Sequence, residues 1–454
     1  MVIMNKGKKI LEYLQFDTPT DEQKISLEAL AEFVDKGNKD NFFILSGAAG
    51  TGKTSITAAL VGYLNANEVP FKIAAPTGRA ARILGKKTKS LSNTIHAMIY
   101  TPESNKETGS VYWKLRPNKS KDYTVFIIDE ASMIGGMNSG NSNEMFQTDD
   151  SLLNHLVKYV RNGNTKNKIV LLGDRNQLPP FDEEISLALD PAYLKKTYKL
   201  KGEFHYLTEV KRVEDGSYIL KNAVDIRKSI DDSKLPMPEI NAMRHRNVWA
   251  AAEVFASEFS PDNLDHSITI GRSHKANRMF NDLVRKNIFG PELQIIENND
   301  LLIVLQNWKR DDNVLYNGDH VLVEEINLSR VELVGGLHFV PIKIRAPKLD
   351  GTMQIIEDYV LVDALLAPDG KVPFNKENIF RAERFKKNKG YVKSGKPEDD
   401  MYVGALRLGY GYAITCQKAQ GGEWEKVYVN TFGINDKKWF YTAITRARTE
   451  LNVY

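Results

Sequence analysis

A single cysteine, Cys416, stands in 454 residues, which excludes an internal disulfide framework and any zinc site built on cysteines. Eight histidines are scattered without HxxxH or similar pairing, so a metal cage of protein ligands is not expected. No apolar run approaches the ~18 residues that a membrane helix needs. The N-terminal MVIMNKGKKILEYLQF has no long apolar core followed by small residues, so no signal peptide is expected either. Charge of one sign is also scarce: 62 Lys and Arg against 58 Asp and Glu leave +4, too little to select a partner. What is present, 42% hydrophobic and 26% charged residues, is a globular balance and excludes a mostly disordered chain. At about 150 residues per domain, the length points to roughly three domains. The expectation is a soluble protein of a reducing compartment.

Residues 20–34 place Ile25, Leu27, Ala29, Leu30, Phe33 and Val34 in a helical pattern that stops near Gly37. A short apolar run, 42–45, leads into a glycine-rich turn and a second helical stretch with Ile56, Leu60, Tyr63 and Leu64 on one side. Residues 71–75, 125–128 and 169–172 are further runs of the kind that fit buried parallel strands. Strands separated by helical segments imply a doubly wound α/β core. Two stretches break the rhythm. Residues 97–121 are polar and basic around Tyr112, Trp113 and Leu115, and read as a small insertion. Residues 134–150 are rich in Gly, Asn and Ser and read as a loop. A second α/β block is expected over about 204–325, then β-like sequence to about 401, then α/β to Tyr454.

Between Lys376 and Lys396, eight basic residues stand against two acidic ones, with Phe380, Phe385 and Tyr391 among them. Two readings are open. Basic residues with interspersed aromatics suit a phosphate backbone with stackable bases, and a charge run also suits a solvated loop.

Residues 47–54, GAAGTGKT, match GxxxxGK[ST] between a strand and a helix, the setting a phosphate loop requires. Gly47, Ala48, Ala49, Gly50, Thr51 and Gly52 would wrap the phosphates with backbone N–H groups, joined by the helix N-terminus through Ser55. Lys53 would reach the β- and γ-phosphates, and Thr54 would offer its hydroxyl to Mg²⁺. Asp129 and Glu130 end the apolar run 126–128. Beside a phosphate loop, Asp129 should help hold Mg²⁺, and Glu130 should orient or deprotonate the attacking water. Gln177, in LLGDRNQLPP (171–180), is placed as a sensor of nucleotide state. Gln23 has two readings, an amide pairing with the adenine edge and one half of a Thr20-x-x-Gln23 capping box, and one residue can serve both. ATP with Mg²⁺ is the cofactor set these motifs imply.

Further segments stand in a fixed order: APTGRAA (75–81), SNTIH (92–96), LTEVKR (207–212), NGD (317–319), YAITCQKAQG (412–421) and YTAITRAR (441–448). Together with the ATP motifs they resemble superfamily 1 helicases, in the Dda- and RecD-like branch that also contains the Pif helicases. The resemblance covers nearly the whole chain. It implies two RecA-like P-loop domains of parallel sheet and flanking helices, with ATP between them and Arg212 and Arg446 of the second domain meeting the γ-phosphate. Charge on a transferring phosphoryl group must be met by preorganised cations. Arg212 has a second reading, an ion pair with Glu209, and Arg448 rather than Arg446 is the expected structural arginine. Gln420 resembles a further nucleotide contact.

The resemblance also implies single-stranded DNA across both domains, touched by Thr77, Gly78, Thr94 and His96 on the first and by Thr415 and Lys418 on the second. Hydroxyls and backbone amides suit phosphates, which fix register without reading sequence. For His96 a packed core role stands beside the DNA contact. The family often has His before the lysine of the fifth segment, where this chain has Gln417. Residues 97–121 occupy the place of a strand-separating pin, with Trp113 read either as its wedge or as an anchor of the hairpin.

The implied division is 1–96 with 122–190 (first RecA-like domain), 97–121 (pin), 191–325 with 402–454 (second RecA-like domain) and 326–401 (SH3-like β insertion). The implied activity is an ATP-dependent DNA helicase moving 5′→3′, in replication, repair or recombination. The alternatives are an ATP-gated DNA-binding or loading module and the motor subunit of a recombination nuclease. Expected partners are single-stranded DNA, single/double-strand junctions and single-strand-binding, replication or recombination proteins, with no membrane. The expected state is a monomer in the cytoplasm of a bacterial or phage-infected cell, or in a nucleus.

Overall fold

The structure, a computed structural model, describes residues 9–15, 18–104, 111–137, 146–209, 217–348 and 350–454. The chain divides into two compact units. The first comprises Met1–Thr101, Lys114–Gly140 and Thr148–Pro236, and the second Pro102–Trp113, Asn141–Gln147 and Met237–Tyr454.

In the first unit α1 (Asp21–Phe33) leads to β1 (Phe42–Gly47), α2 (Lys53–Ala66), β2 (Phe71–Ala75), α3 (Gly78–Thr88), β3 (Ser92–Thr94) and α4 (Ile95–Ile99). The chain then passes through β4 (Tyr100–Ser104) and β5 (Val111–Leu115), of which Pro102–Trp113 is counted with the second unit, and returns to the first unit's sheet at β6 (Val125–Ile128). After β7 (Phe146–Gln147), also counted with the second unit, come α5 (Leu152–Gly163), β8 (Lys168–Gly173), α6 (Pro191–Tyr198), β9 (Gly202–Leu207) and α7 (Tyr218–Asp231). The six-stranded sheet runs β3-β2-β6-β8-β1-β9 and every pairing in it is parallel. β1, β6 and β8 are buried along their whole length, as their apolar runs 42–45, 125–128 and 169–172 require when helices cover both faces. α1 and α2 bring Leu27, Leu30, Phe33, Ile56, Leu60 and Leu64 onto Phe43, Leu45, Val170 and Leu172. Because the strands are parallel, their carboxyl ends form one edge, the crevice where such sheets bind ligands.

In the second unit β10 (Met243–Arg244), α8 (Val248–Glu258), β11 (Ser267–Gly271) and α9 (His274–Phe289) begin a second parallel layer. The chain then builds an antiparallel sheet from β12 (Leu301–Val304), a hairpin of β13 (Trp308–Arg310) and β14 (Asn313–Leu315), β15 (His320–Ile326), β16 (Glu332–Val334), β17 (Leu337–Pro347) and β18 (Met353–Leu361). Helices α10 (Val362–Leu366), α11 (Phe374–Lys387) and α12 (Lys389–Ser394) precede β19 (Leu408–Tyr410), β20 (Ala413–Thr415), α13 (Cys416–Ala419), β21 (Trp424–Val429), α14 (Lys437–Ile444) and β22 (Ala447–Val453). The parallel sheet is ordered β10-β22-β21-β11-β20, and the antiparallel one β16-β17-β15-β12-β19 with β18 on β17. Phe255, Phe280, Val284, Tyr412 and Tyr428 form the core under the parallel sheet. Two parallel α/β sheets are the pair of RecA-like folds expected from the sequence.

Three expectations change. The boundary at 190 moves to after α7, because β9 pairs with β1 along its whole length from Phe42↔Gly202 to Gly47↔Leu207 and so belongs to the first sheet. The antiparallel sheet starts at β12 and closes at β19, wider than 326–401, since β12 pairs with both β15 and β19. The basic stretch 376–396 is no loop lined with stackable rings. It forms α11 and α12, with Phe380 and Tyr391 fully buried against Phe339 and Leu361, and Phe385 packed on the same cluster. Within the loop expected over 134–150, residues 138–145 lie outside the described residues; Gly136 and Met137 donate N–H groups to Glu183 Oε1 at 2.7 and 3.0 Å, and β7 pairs with β5. Among the described residues no helix is long and apolar enough to cross a membrane.

Candidate nucleotide and nucleic-acid site

β1 ends at Gly47, and the chain turns through residues 48–52 into α2. The turn is tight: a Cβ at Gly47 would stand 2.7 Å from Thr51 Oγ1 and 2.9 Å from Leu207 Cβ, so only glycine fits there. Gly50 and Gly52 have φ of 81° and 84°, left-handed values that glycine adopts without strain. Thr51 Oγ1 donates to the Ala48 carbonyl at 2.9 Å and closes the loop. The Lys53 ammonium donates to the carbonyl oxygens of Gly47 at 2.5 Å and Ala48 at 2.9 Å, so it lies folded across the loop. Gln23 Nε2 donates to the Thr51 carbonyl at 2.9 Å, while its Oε1 accepts the Thr20 N–H at 2.9 Å and Thr20 Oγ1 accepts the Gln23 N–H. The capping box is present, and the same amide buttresses the phosphate loop.

Asp129 follows β6, and its N–H donates to the Ala74 carbonyl. Burial raises the Asp129 carboxyl above the usual carboxylate range, against the Glu130 N–H bond and the charges of Lys53 and Lys87. Glu130 has φ 49°, ψ 38°, a left-handed position unusual for a side chain of its size, and its backbone N–H is held by Asp129 Oδ1 at 2.9 Å. Strain of this kind collects where geometry is needed for function. After β8, Asp174 is fully buried and accepts the Asn176 N–H, and Gln177 N–H donates to the Asp174 carbonyl. Gln177 is buried, and its Oε1 has no hydrogen-bond partner among the described residues. Lys53, Thr54, Asp129, Glu130 and Gln177 thus all follow carboxyl ends of β1, β6 or β8. The hydroxyl of Thr54 and the carboxylate of Asp129 are hard oxygen donors, the set that Mg²⁺ takes with waters and phosphate oxygens, and a half-buried carboxylate beside a phosphate loop gains from a divalent cation.

On the same edge, Thr77 caps α3 by accepting the Ala80 N–H, and Gly78 is buried beside it. Thr94 caps α4 by accepting the Ala97 N–H. Both hydroxyls are engaged as acceptors, which leaves their O–H hydrogens to donate to a phosphate. His96 is half-buried, its ring 5.5 Å from that of Tyr100, and burial holds its pKa below the usual imidazole value. Trp113 lies on β5, half-buried. Arg212 lies outside the described residues. Just before it, Glu22 accepts from Thr208 N, Thr208 Oγ1 and Glu209 N. Burial works against ionisation of Glu22, yet these bonds and the Arg227 charge hold its carboxyl below the usual range. Sequence reading missed Glu22; an acid in a first helical turn reads as a dipole complement, and its partners lie far along the chain.

In the second unit Thr415 ends β20, and Lys418 follows one turn later on α13. Thr415, Lys418, His274, Asn277 and Arg278 line a cavity of about 60 Å³. Burial lowers the Lys418 pKa, helped by the like charge of Lys371 and opposed by Asp369. Gln417 is exposed. Gln420 and Arg446 are both buried. Arg446 donates from Nε to the Thr442 carbonyl (3.1 Å), from Nη1 to the Gly422 carbonyl (3.2 Å) and from Nη2 to Thr445 Oγ1 (3.1 Å). The structural bonding expected of Arg448 is therefore carried by Arg446, and Arg448 is exposed. Three of the five N–H donors of Arg446 are used, so among the described residues two remain for a ligand.

Strand-end phosphate loop, acid pair and buried glutamine define a P-loop nucleotide-binding protein with two RecA-like sheets. Residues 31–141 match the AAA domain family and residues 410–454 the UvrD-like helicase C-terminal domain family. The chain is 30% identical over 170 residues to the ATP-dependent RecD2 DNA helicase of Deinococcus radiodurans, covering 37% of this chain and only 20% of that protein. It is 23% identical over 465 residues to the ATP-dependent DNA helicase dda of Enterobacteria phage T4, covering 96% of this chain and 99% of that one. Its fold is similar to that of a Pif1 helicase solved in a study of unwinding at forked duplex DNA, with a TM-score of 0.53, 16% identity and coverage of 96% and 92%. The chain thus carries an AAA domain and a UvrD-like helicase C-terminal domain, and it is similar in sequence to the RecD2 and dda helicases and in fold to a Pif1 helicase.

Proposed function

We propose that the protein is an ATP-driven motor that moves 5′→3′ along single-stranded DNA and separates duplex, in replication, repair or recombination. The observation that carries this is the common edge of the first sheet, where phosphate-loop, acid-pair and Gln177 residues stand beside the capping hydroxyls of Thr77 and Thr94. Hydrolysis and backbone-gripping groups then share one set of parallel strands.

When bound, Mg²⁺ held by Thr54 and Asp129 supplies charge neutralisation on the phosphoryl oxygens. Lys53 exchanges its contacts with Gly47 and Ala48 for phosphate oxygens, and the N–H groups of residues 48–53 hold the remaining charge. Glu130 orients the attacking water and takes its proton. Gln177, with a buried carbonyl oxygen to satisfy, accepts from that water and so reads whether a γ-phosphate is present. Arg212 and Arg446 are the proposed cations for the transferring phosphoryl group. For Arg446 the two uncommitted N–H donors support the role. Gln23, which already grips the loop, is proposed to meet the adenine edge, and Gln420 a further part of the nucleotide. Thr77, Gly78, Thr94 and His96, with Thr415 and Lys418, are the proposed backbone grips, and Trp113 is the proposed wedge at the junction. The hairpin of β4 and β5 is the proposed pin, and the antiparallel sheet the proposed SH3-like insertion.

The test is ATP-dependent strand separation on two partial duplexes, one with a 5′ and one with a 3′ single-stranded tail. Unwinding of only the 5′-tailed duplex is expected. DNA-stimulated ATP hydrolysis without separation of either would replace the motor by a loading module. Glu130→Gln and Lys53→Ala should each lower DNA-stimulated hydrolysis by about 10²–10⁴ and abolish unwinding, with folding intact by circular dichroism. Unchanged turnover in either variant would sink the assignment of the hydrolytic site.

A further inference from the structure

The most exposed large apolar side chain on the described surface is Phe432, with 90% of its area open to solvent. It sits on the turn between β21 and α14, and that turn is tied down. Phe432 N–H donates to Asn430 Oδ1 at 3.0 Å, and the N–H and hydroxyl of Thr431 both donate to the Tyr454 carbonyl, at 2.9 and 3.0 Å. Arg272 Nη1 donates to the Gly433 carbonyl at 2.5 Å, and Gly433 takes φ 68° to make the turn. A ring held out by a fixed backbone is already arranged for a flat partner, with little ordering left to do.

Its position on the sheet narrows what that partner is. β11 pairs with β21 through Ile270↔Val429 and with β20 through Gly271↔Thr415, all parallel. The residues that follow these strands, Phe432, Arg272 and Lys418, therefore share one carboxyl edge. Phe432 follows a strand two places from that of Thr415, a lateral distance of about 10 Å at the usual strand spacing. Charge separates Phe432 from Phe181, which is 82% exposed in the first unit. Phe181 is followed by Asp182, Glu183 and Glu184, a setting that repels a polyanion. Phe432 is followed by half-buried Lys437 and Lys438, and exposed Arg272, bonded to the next residue Gly433, is followed by exposed Lys275. Asp436, in the same turn, caps α14 by accepting the Trp439 N–H at 3.0 Å.

We infer that Phe432 is a base-stacking platform of the second unit, on which one nucleobase of the single strand rests while the neighbouring cations hold its backbone. This rests on the single-stranded DNA track proposed above. Stacking needs only a π-face, which every base offers, so the contact grips without reading sequence.

The test uses the full chain and fluorescein-labelled oligothymidylate, beside an equally long strand of abasic sugar-phosphate, read by anisotropy. Wild type should bind the thymidine strand more tightly than the abasic one. Phe432→Ala should weaken thymidine-strand binding by about 5- to 100-fold, the loss of one stacked base, and leave abasic binding unchanged. Phe432→Trp should restore the preference. A Phe432→Ala variant with unaltered preference, or one weakened equally on both strands, overturns the stacking role. Failure of wild type to bind the thymidine strand at all overturns the DNA track itself, and the platform with it.

Discussion

Lys168, the first residue of β8, shows what single residues hide. It is fully buried, its ammonium donating to the Asn38 and Asp40 carbonyls at 3.1 and 2.8 Å and lying 4.6 Å from the Phe33 ring centre. Burial pushes its pKa down to about 8, against the pull of Asp40 and Asp35. Above pH ~10.5 the group is neutral in both states; between there and about 8 only the unfolded chain binds the proton. The residue's contribution therefore falls as pH drops through that window and stays low beneath it. The stability of wild type relative to Lys168→Met should be greater at pH 10 than at pH 7.5, as measured by denaturant unfolding, and an equal gap would refute the argument. Nothing in the sequence marks Lys168, because its acceptors lie on the turn before β1. The phosphate loop was legible for the opposite reason. Its glycines, lysine and threonine act on a span of eight residues, so spacing alone carries the geometry. Arg446 and Arg448 stand between these cases: the motif supplies both arginines, and only the packing of α14 decides which is buried.

At the scale of elements, α11 and α12 account for the stretch that composition could not settle. Charge counting sees eight cations and cannot see Asp400 and Arg407 beyond them. Glu377 accepts from Arg381 Nε at 3.0 Å and from Arg407 Nη2 at 2.5 Å, with all three side chains buried, and Arg384 is paired to Asp400 at 2.8 Å. The two arginines outweigh burial and hold the Glu377 carboxyl below the usual range. Removing that carboxylate leaves two guanidiniums facing each other without water. Glu377→Ala should cost about 3–5 kcal/mol in thermal or urea unfolding. Glu377→Leu combined with Arg381→Met and Arg407→Leu should cost less than the single change, since it removes the charges together. A triple variant weaker than the single one would mean that the ion pairs, and not their desolvation, dominate. The rings between the charges were misread for a related reason: Phe380 on α11 and Tyr391 on α12 are buried in one cluster with Phe339 of β17, a partner far along the chain.

Over the whole molecule, the first parallel sheet was legible, since runs such as 42–45 and 125–128 fit strands buried on both faces, while the second was expected only as a further α/β block and from the resemblance. Their limits were not. β9 carries a mixed sequence, GEFHYL, because it is an edge strand, and nothing local assigns it to β1. The proposed 5′→3′ direction is hidden at every smaller scale, since it would depend on the order in which grips release, and the tailed duplexes measure it directly. The strand order of the second parallel sheet has a consequence for synthesis. β11 lies between β21 and β20, and both neighbours are translated only after the entire antiparallel sheet. While the ribosome is building β12 to β19, the apolar SITIG strand has neither partner, and both its hydrogen-bonding edges stand open. The nascent chain must keep that strand from foreign pairing until its last segments emerge, so the speed of translation through 301–410 sets how long it is at risk.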